Sequence, residues 1–353
     1  MEHMPYFTII MPVYNGAFYM EKAIHSILNQ TFTDFELIIV DDGSTDSSCD
    51  IVQRIMSRDS RVVLKLMNHN MGVSVARNVG LKWIRGQYFN FVDADDYLED
   101  TVLERVHNEL LRNPVQVLKY GCIEEYYDNN GNIIGSRKLR LANHHMVNIN
   151  EIRCKIIEME KLPLFGYLWN TFYSVAFIRT GSFSFNTNFK VNEDFMFNMD
   201  IFDRITSLTC IDCCGYHYAK RVDNSLSTRL NNQYYEFHIA KIQKLLEMYG
   251  KWDLLDHNVR QKIYWLYTRC VYSTVCRKIQ TDGLNSGKLE FCQTMVSPLF
   301  QSYVRFKFRS VSIKEKIMIN TLQRKSIFQV LLLSVLINLL KSRFRVFFAK
   351  LKG

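Results

Sequence analysis

The chain has 353 residues, 48% hydrophobic and 22% charged, with 5 Pro and 15 Gly. That composition describes a globular protein with a real core and excludes collagen-like repeats and long disordered tracts. The net charge of +9 is unevenly placed, because the 52 residues from Ser302 to Gly353 hold 12 Lys or Arg and one acid. A near-neutral body with one basic segment excludes a fold that grips nucleic acid throughout. It points to one basic surface facing anionic lipid or another acidic partner.

The first hundred residues alternate strand and helix signals. Tyr6–Val13 is an apolar, β-rich run, and Ala17–Asn29 carries Ala23, Ile24, Ile27 and Leu28 on one helical face. Glu36–Val40 is a second buried strand, stopped by Asp41-Asp42-Gly43-Ser44, after which Thr45 and Asp46 offer caps for a helix to Met56. Strands follow at Val62–Leu66, Tyr88–Val92 and Val115–Tyr120, with helices at Val73–Ile84 and Glu99–Leu111. This spacing predicts βαβ units, hence an α/β fold with a mostly parallel twisted sheet flanked by helices. The pattern changes after Gly121. Asp128–Gly131 reads as a hairpin turn, Glu151–Lys161 and Glu193–Phe202 as helices, and Leu208–Tyr218 as extended chain. From Tyr234 the pattern is helical, clearest at Glu236–Tyr249 and Val259–Val275. The boundaries expected are 1–228 for the sheet domain, 229–322 for a helical region and 323–353 for a basic amphipathic helix.

Ligands of open parallel sheets bind beyond the carboxyl ends of the strands. Acidic clusters fall at two such ends, Asp41-Asp42 and Asp93-Ala94-Asp95-Asp96. Three carboxylates on four residues repel one another unless something positive joins them. A divalent cation that also holds a diphosphate would relieve that repulsion, and so would a solvated, acidic helix start; the residues alone leave both open. No GxGxxG follows the first strand and no GxxxxGK[ST] occurs, which disfavours nicotinamide, flavin and P-loop chemistry. Cys210, Cys213 and Cys214 lack a second close pair and read as small apolar residues filling a strand. The start, MEHMPYF, has neither a basic nor an apolar leader run, so a reducing cytoplasm is the expected location.

Several runs together carry a resemblance. Thr8–Asn15 (TIIMPVYN), Ser26–Phe32 (SILNQTF), Phe35–Asp46 (FELIIVDDGSTD), Ala76–Leu81 (ARNVGL), Phe91–Asp96 (FVDADD) and Asn192–Phe197 (NEDFMF) resemble the ordered motifs of a family 2 glycosyltransferase of the GT-A fold. Tyr216–Ser227 is similar to that family's closing segment. The resemblance covers roughly residues 6 to 228. It implies an inverting enzyme that passes a sugar from a nucleotide-diphosphate sugar to a hydroxyl. Pro12, Tyr14 and Asp42 match the positions that cradle base and ribose. Arg77 matches the basic residue that orients the acidic loops or the phosphates. Asp93, Ala94 and Asp95 match the DxD motif, with Asp95 and then Asp93 as ligands of Mn²⁺ or Mg²⁺. Asp194 matches the general base. Glu193, Trp169, His217, Lys220 and Arg221 are the candidate contacts to diphosphate or acceptor, Trp169 and Tyr167 lying where an acceptor platform would form. The family usually has Arg directly after the aromatic pair, where this chain has Ala219-Lys220-Arg221, so which cation reaches phosphate stays open. No QxxRW occurs, which favours one sugar per visit over processive synthesis.

Ile327–Leu340 holds eleven apolar residues in fourteen, too few and too interrupted for a membrane span. Lys341, Arg343, Arg345, Lys350 and Lys352 follow, interleaved with Phe344, Phe347 and Phe348. This is the pattern of a helix lying on anionic lipid, and equally of one packed on protein. The lipid reading implies a peripheral enzyme on the inner face of the cell membrane. It would act on a glycan or lipid-linked acceptor in bacterial surface polysaccharide or lipo-oligosaccharide synthesis. A non-catalytic GT-A-like scaffold and a sugar nucleotidyltransferase are the competing readings. Donor identity, acceptor, linkage and oligomeric state, a homodimer included, are left open.

Overall fold

The structure, a computed structural model, describes residues 4–128, 130–189, 191–221 and 234–343. The chain forms two compact units, Met1–Val222 and Asp223–Gly353.

The first unit is a ten-stranded sheet flanked by seven helices among the described residues. Strand β1 (Phe7–Val13) pairs in parallel with β2 (Phe35–Asp41) on one side and β4 (Tyr88–Phe91) on the other, and β2 pairs in parallel with β3 (Val62–Leu66). Strands β1, β2 and β4 are buried along nearly their whole length, as continuous apolar runs in a parallel sheet must be. Short β9 (Thr171–Ser174) lies antiparallel between β4 and β6 (Val117–Tyr127), and β10 (Leu208–Lys220) runs parallel to β6. The two-residue β5 (Tyr97–Leu98) closes the edge against β10. The order β3-β2-β1-β4-β9-β6-β10-β5 therefore reverses between β1 and β4. That reversal opens a crevice above the ends of β1 and β4, at Tyr14 and at Asp93 to Asp95.

One sequence expectation changes in this unit. The strand expected to stop at Tyr120 continues through Gly121 to Tyr127. Gly121 marks a close approach within the strand: a Cβ there would lie 2.2 Å from the Leu139 carbonyl oxygen on β7 (Ile133–Leu139), the strand hairpinned to β6. The Cys210-Cys213-Cys214 cluster falls at an irregularity in the pairing of β10 with β6, between Ile211 and Tyr216. Cys210 and Cys213 are buried there, as strand-filling residues. A third short strand, β8 (His144–Met146), pairs with β10.

Helices α1 (Met20–Leu28), α2 (Ser48–Met56), α3 (Val73–Lys82) and α4 (Val102–Arg112) follow the first strands in alternation. Then come α5 (Ile149–Lys161), α6 (Val175–Gly181) and α7 (Glu193–Phe202). Helix α3 sits close on the sheet because its inward residues are small. Ala76 packs on Ile38 and Val40, and a Cβ on Gly80 would lie 2.5 Å from Ile10 Cγ2.

The second unit is helical: α8 (Tyr234–Lys251), α9 (His257–Asp282), α10 (Leu284–Val296), α11 (Pro298–Arg305), α12 (Ile313–Gln323) and α13 (Ile327–Arg343). Helix α9 is its spine, touching α8, α10, α12 and α13. Asp256 caps α9 through the Val259 amide, and Ser312 with Glu315 forms a reciprocal capping box on α12. Helix α13 buries Val330 and Ser334, and Asn338 donates to the Cys276 carbonyl on α9 at 2.7 Å. Phe328, Leu332, Leu336, Leu339 and Leu340 stay exposed. No helix among the described residues is long and apolar enough to cross a membrane. The aromatic and basic residues from Phe344 onward lie outside the described residues.

Candidate active site

The crevice is built from four loops. After β1, Asn15 adopts a left-handed φ of 51°, and the amides of Asn15, Gly16 and Ala17 donate to Ser44 Oγ, Ser48 Oγ and Asp46 Oδ2. The loops after β1 and β2 are thereby locked together. Pro12 is half-buried in β1, and Tyr14 stands out at 48% exposure, open to stack on a planar ring. Asp42 is buried and its two oxygens accept from the Met71 and Gly72 amides at 2.8 Å each. It therefore holds the loop leading into α3. A carboxylate has lone pairs beyond these two bonds, so this placement leaves Asp42 able to accept from a base.

Helix α3 then supplies Arg77, 7% exposed. Its guanidinium donates to Glu193 Oε1 at 2.7 Å and lies 3.5 Å from Asp93 Oδ1. Burial works against the charge, but Glu193, Asp93 and Asp194 outweigh it and raise the Arg77 pKa. The neighbouring Asn78 bonds both the amide and the carbonyl of Phe185, in the segment ahead of α7. The two polar residues of the Ala-Arg-Asn run thus tie α3 to the start of α7 and to the turn after β4.

That turn carries the acids. Burial, helped by Asp95 and Glu193 and opposed by Arg77, pushes Asp93 up to about 6. Asp95 is 56% exposed at its side chain and faces Arg221, whose guanidinium reaches the Asp95 carbonyl at 3.0 Å and Oδ2 at 3.3 Å. Ala94 lies beside Gly16, where a Cβ would come within 3.7 Å of its own. Asp96 points the other way. It is 2% exposed and accepts from the Tyr216 hydroxyl and the Ala219 amide at 2.8 Å each, fastening the turn to β10. Burial and its two acidic neighbours hold its pKa well above the ordinary range.

Asp93 and Asp95 fit a divalent ion that is completed by a ligand. The Asp95 carboxylate helps raise the proton affinity of Asp93, a repulsion that a cation relieves. Among the described residues no three His, Cys, Asp or Glu side chains surround one point.

Asp194 opens α7 beside Glu193, and its Oδ1 accepts the Phe195 amide at 2.7 Å. The positive end of that helix's dipole favours a negative group there. Arg77 joins this helix end to the Asp93 turn, so the structure brings Asp194, Asp93 and Asp95 to one side of the sheet.

Four expected contacts are placed elsewhere. Glu193 is the partner of Arg77, and its carboxylate serves to hold α7. Trp169 is 3% exposed and sandwiched between Tyr216 at 4.2 Å and Tyr167 at 4.4 Å, so it is core and not an acceptor platform. His217 stacks on Tyr97 and bonds Glu125 Oε1 at 2.8 Å, with Glu99 at 3.6 Å. It lines a surface groove of about 610 Å³ with Lys22, His25, Tyr97 and Glu99, which neither Asp93, Asp95 nor Asp194 borders. Lys220 pairs with Glu124 over the Tyr126 ring. Arg221 is therefore the cation of the three that meets the DxD turn.

The sequence reading missed the buried polar residues behind the site. Asn90 on β4 donates to the carbonyls of Leu168, Trp169 and Thr171, and Asn198 on α7 to those of Phe165, Gly166 and Tyr167. Lone polar residues inside the apolar runs YFNF and FMFNM were the signal, since a buried polar group needs partners.

Residues 8–195 match the family described as Glycosyl transferase family 2, more than half of the chain. The chain belongs to glycosyltransferase family 2. This family 2 member is 36% identical over 169 residues to an uncharacterized glycosyltransferase of Haemophilus influenzae, covering 47% of this chain and 67% of that one. It is 28% identical over 229 residues to the minor teichoic acid biosynthesis protein GgaB of Bacillus subtilis, covering 62% of this chain and 23% of that one. Among solved structures, S. aureus TarS 1-349 in complex with UDP-GlcNAc aligns with a TM-score of 0.59 at 19% identity, covering 93% of this chain and 90% of that one. Likeness at that identity speaks for the fold, and the fold is the GT-A arrangement the motifs implied.

Proposed function

We propose that this chain is an inverting, metal-dependent glycosyltransferase that moves one sugar at a time from a UDP-sugar to a hydroxyl of a glycan or lipid-linked acceptor. The observation that supports the reading is the Arg77 bridge, which joins Glu193, the neighbour of the general-base candidate Asp194, to Asp93 in the turn that also carries Asp95. A UDP-sugar donor is supported by the UDP-GlcNAc complex of the structural neighbour, and a surface polymer by the teichoic acid relative.

In this reading Tyr14 and Asp42 take the base and Arg221 turns from Asp95 toward the diphosphate. Asp93 and Asp95 would hold Mn²⁺ or Mg²⁺, and such an ion would offset charge on the nucleoside diphosphate as it leaves. Asp194 accepts the acceptor hydroxyl proton as that oxygen bonds the anomeric carbon. The bond from that carbon to the diphosphate oxygen breaks with its electron pair, UDP leaves, and the configuration inverts. Asp194→Asn tests this: turnover falls at least about a hundredfold, in the range of lost general-base catalysis, while UDP binding stays unchanged. Unchanged turnover would remove Asp194 from the mechanism and favour a non-catalytic scaffold.

The same proposal places the enzyme peripherally on the inner face of the cell membrane. The apolar stripe of α13, the exposed Lys325 at its start and the basic segment from Ser302 onward support an anionic lipid surface. A homodimer through that face would bring two strongly basic segments together, which electrostatics disfavours.

A further inference from the structure

Lys119 lies on β6 with no exposed surface, and no carboxylate bonds it. Its ammonium has three protons. Four acceptors surround it, all on one short loop: the carbonyls of Phe165 and Tyr167 at 3.2 Å, Asn170 Oδ1 at 3.2 Å and Thr171 Oγ1 at 2.5 Å. Burial draws its pKa down to about 7, against the attraction of Cys210, Asp194 and Glu160.

A buried lysine is costly to keep where an apolar side chain would fill the same volume. Its partners show what the cost secures. Two of the loop carbonyls that accept from Lys119, those of Phe165 and Tyr167, also accept from Asn198 Nδ2. Asn198 stands one turn after Asp194 on α7. The loop is thereby clamped between β6 and the helix that carries the base. Tyr173 adds a second tie, its hydroxyl donating to Asn198 Oδ1 at 2.7 Å. The donor-side loops after β1 and β2 take no part in this network.

We propose that Lys119 is a positioning residue of the transfer reaction: its ammonium holds the Phe165–Thr171 loop against α7 and so fixes where Asp194 stands relative to the attacking hydroxyl. Displacing a catalytic group by a fraction of an ångström lowers turnover without touching the nucleotide site. The proposal rests on Asp194 as the base, and the test separates the two claims.

The assay is UDP release from the UDP-sugar that the wild-type chain hydrolyses fastest among UDP-glucose, UDP-galactose and UDP-N-acetylglucosamine, with water as the attacking hydroxyl. Lys119→Met lowers kcat about tenfold, with KM and the Kd for UDP unchanged within about twofold. Placed in the Asp194→Asn background, the same change has no further effect, because it acts through Asp194. An equal tenfold loss in both backgrounds would overturn the proposal, as would a loss confined to KM. Wild-type turnover in Lys119→Met beside an inactive Asp194→Asn would sink the positioning role and spare the base; full turnover in Asp194→Asn would sink the base and the positioning role with it. Lys119→Gln, which keeps a donor, guards against a folding failure. It retains more turnover than the Met variant, and loss of the thermal transition in both variants would make Lys119 a residue of core stability only.

Discussion

Arg77 is held by two kinds of contact, and each restrains a different part of the site. Glu193 ties it to α7, Asp93 ties it to the turn after β4, and the rings of Phe91 and Phe185 lie 5.9 and 5.5 Å from its guanidinium. Arg77→Met would leave Glu193, 12% exposed at its side chain, without its cation. Breaking a buried ion pair in this way costs about 3 kcal/mol. The variant is expected to melt several degrees lower and to lose turnover at least about tenfold, because α7 and the Asp93 turn are no longer joined. Thermal denaturation and the UDP-release assay check both arms, and unchanged turnover in a destabilised protein would confine Arg77 to stability. At this scale the sequence was informative about identity and weak about direction. Asp93, Asp95, Asp194 and Arg77 could be named from motif runs, the three acids because they stand at recognisable strand or helix ends and Arg77 from the Ala-Arg-Asn run within α3. Where Glu193, His217 and Lys220 point could not be read, because one residue of register on β10, or one residue along α7, turns a side chain to another face, and Trp169 lies in a connection before β9 whose course the pattern does not fix.

Elements were legible where their periodicity is strong. The alternation from β1 to α4 follows from apolar runs of strand length separated by one-faced helices, and the observed bounds differ from the expected ones by a few residues. The strand expected to end at Tyr120 runs on because a glycine within a strand also serves a close backbone approach, here to the Leu139 carbonyl, which the pattern around Gly121 does not reveal. Helix α13 shows what pattern alone leaves undecided. Its inward face is short, Val330, Ser334 and Asn338, while Phe328, Leu332, Leu336 and Leu339 form an outward stripe at helical spacing. The chain is therefore expected to sediment with vesicles rich in phosphatidylglycerol and not with phosphatidylcholine alone. Replacing Leu332 and Leu336 together by Glu should abolish that binding and leave UDP release intact. Equal binding to neutral vesicles, or a stripe variant that still binds, would contradict the lipid assignment. A dimer that dissociates in the variant would turn the stripe into a self-interface.

For the whole molecule, the division of labour follows from where charge and burial fall. The sheet unit gathers its acids at the reversal of strand order, and the helical unit collects its cations toward the end of the chain. On the proposed metal role, the two carboxylates set in one turn, with Asp93 pushed up to about 6, would need an added cation to hold a diphosphate. The most direct test of that account is UDP release from a panel of UDP-, GDP-, dTDP- and CMP-sugars with Mn²⁺, repeated with EDTA. The account predicts turnover of one UDP-sugar that EDTA abolishes and Mn²⁺ restores. Turnover indifferent to EDTA would contradict the metal role of Asp93 and Asp95, and a folded protein that binds none of the panel would contradict the transferase reading itself.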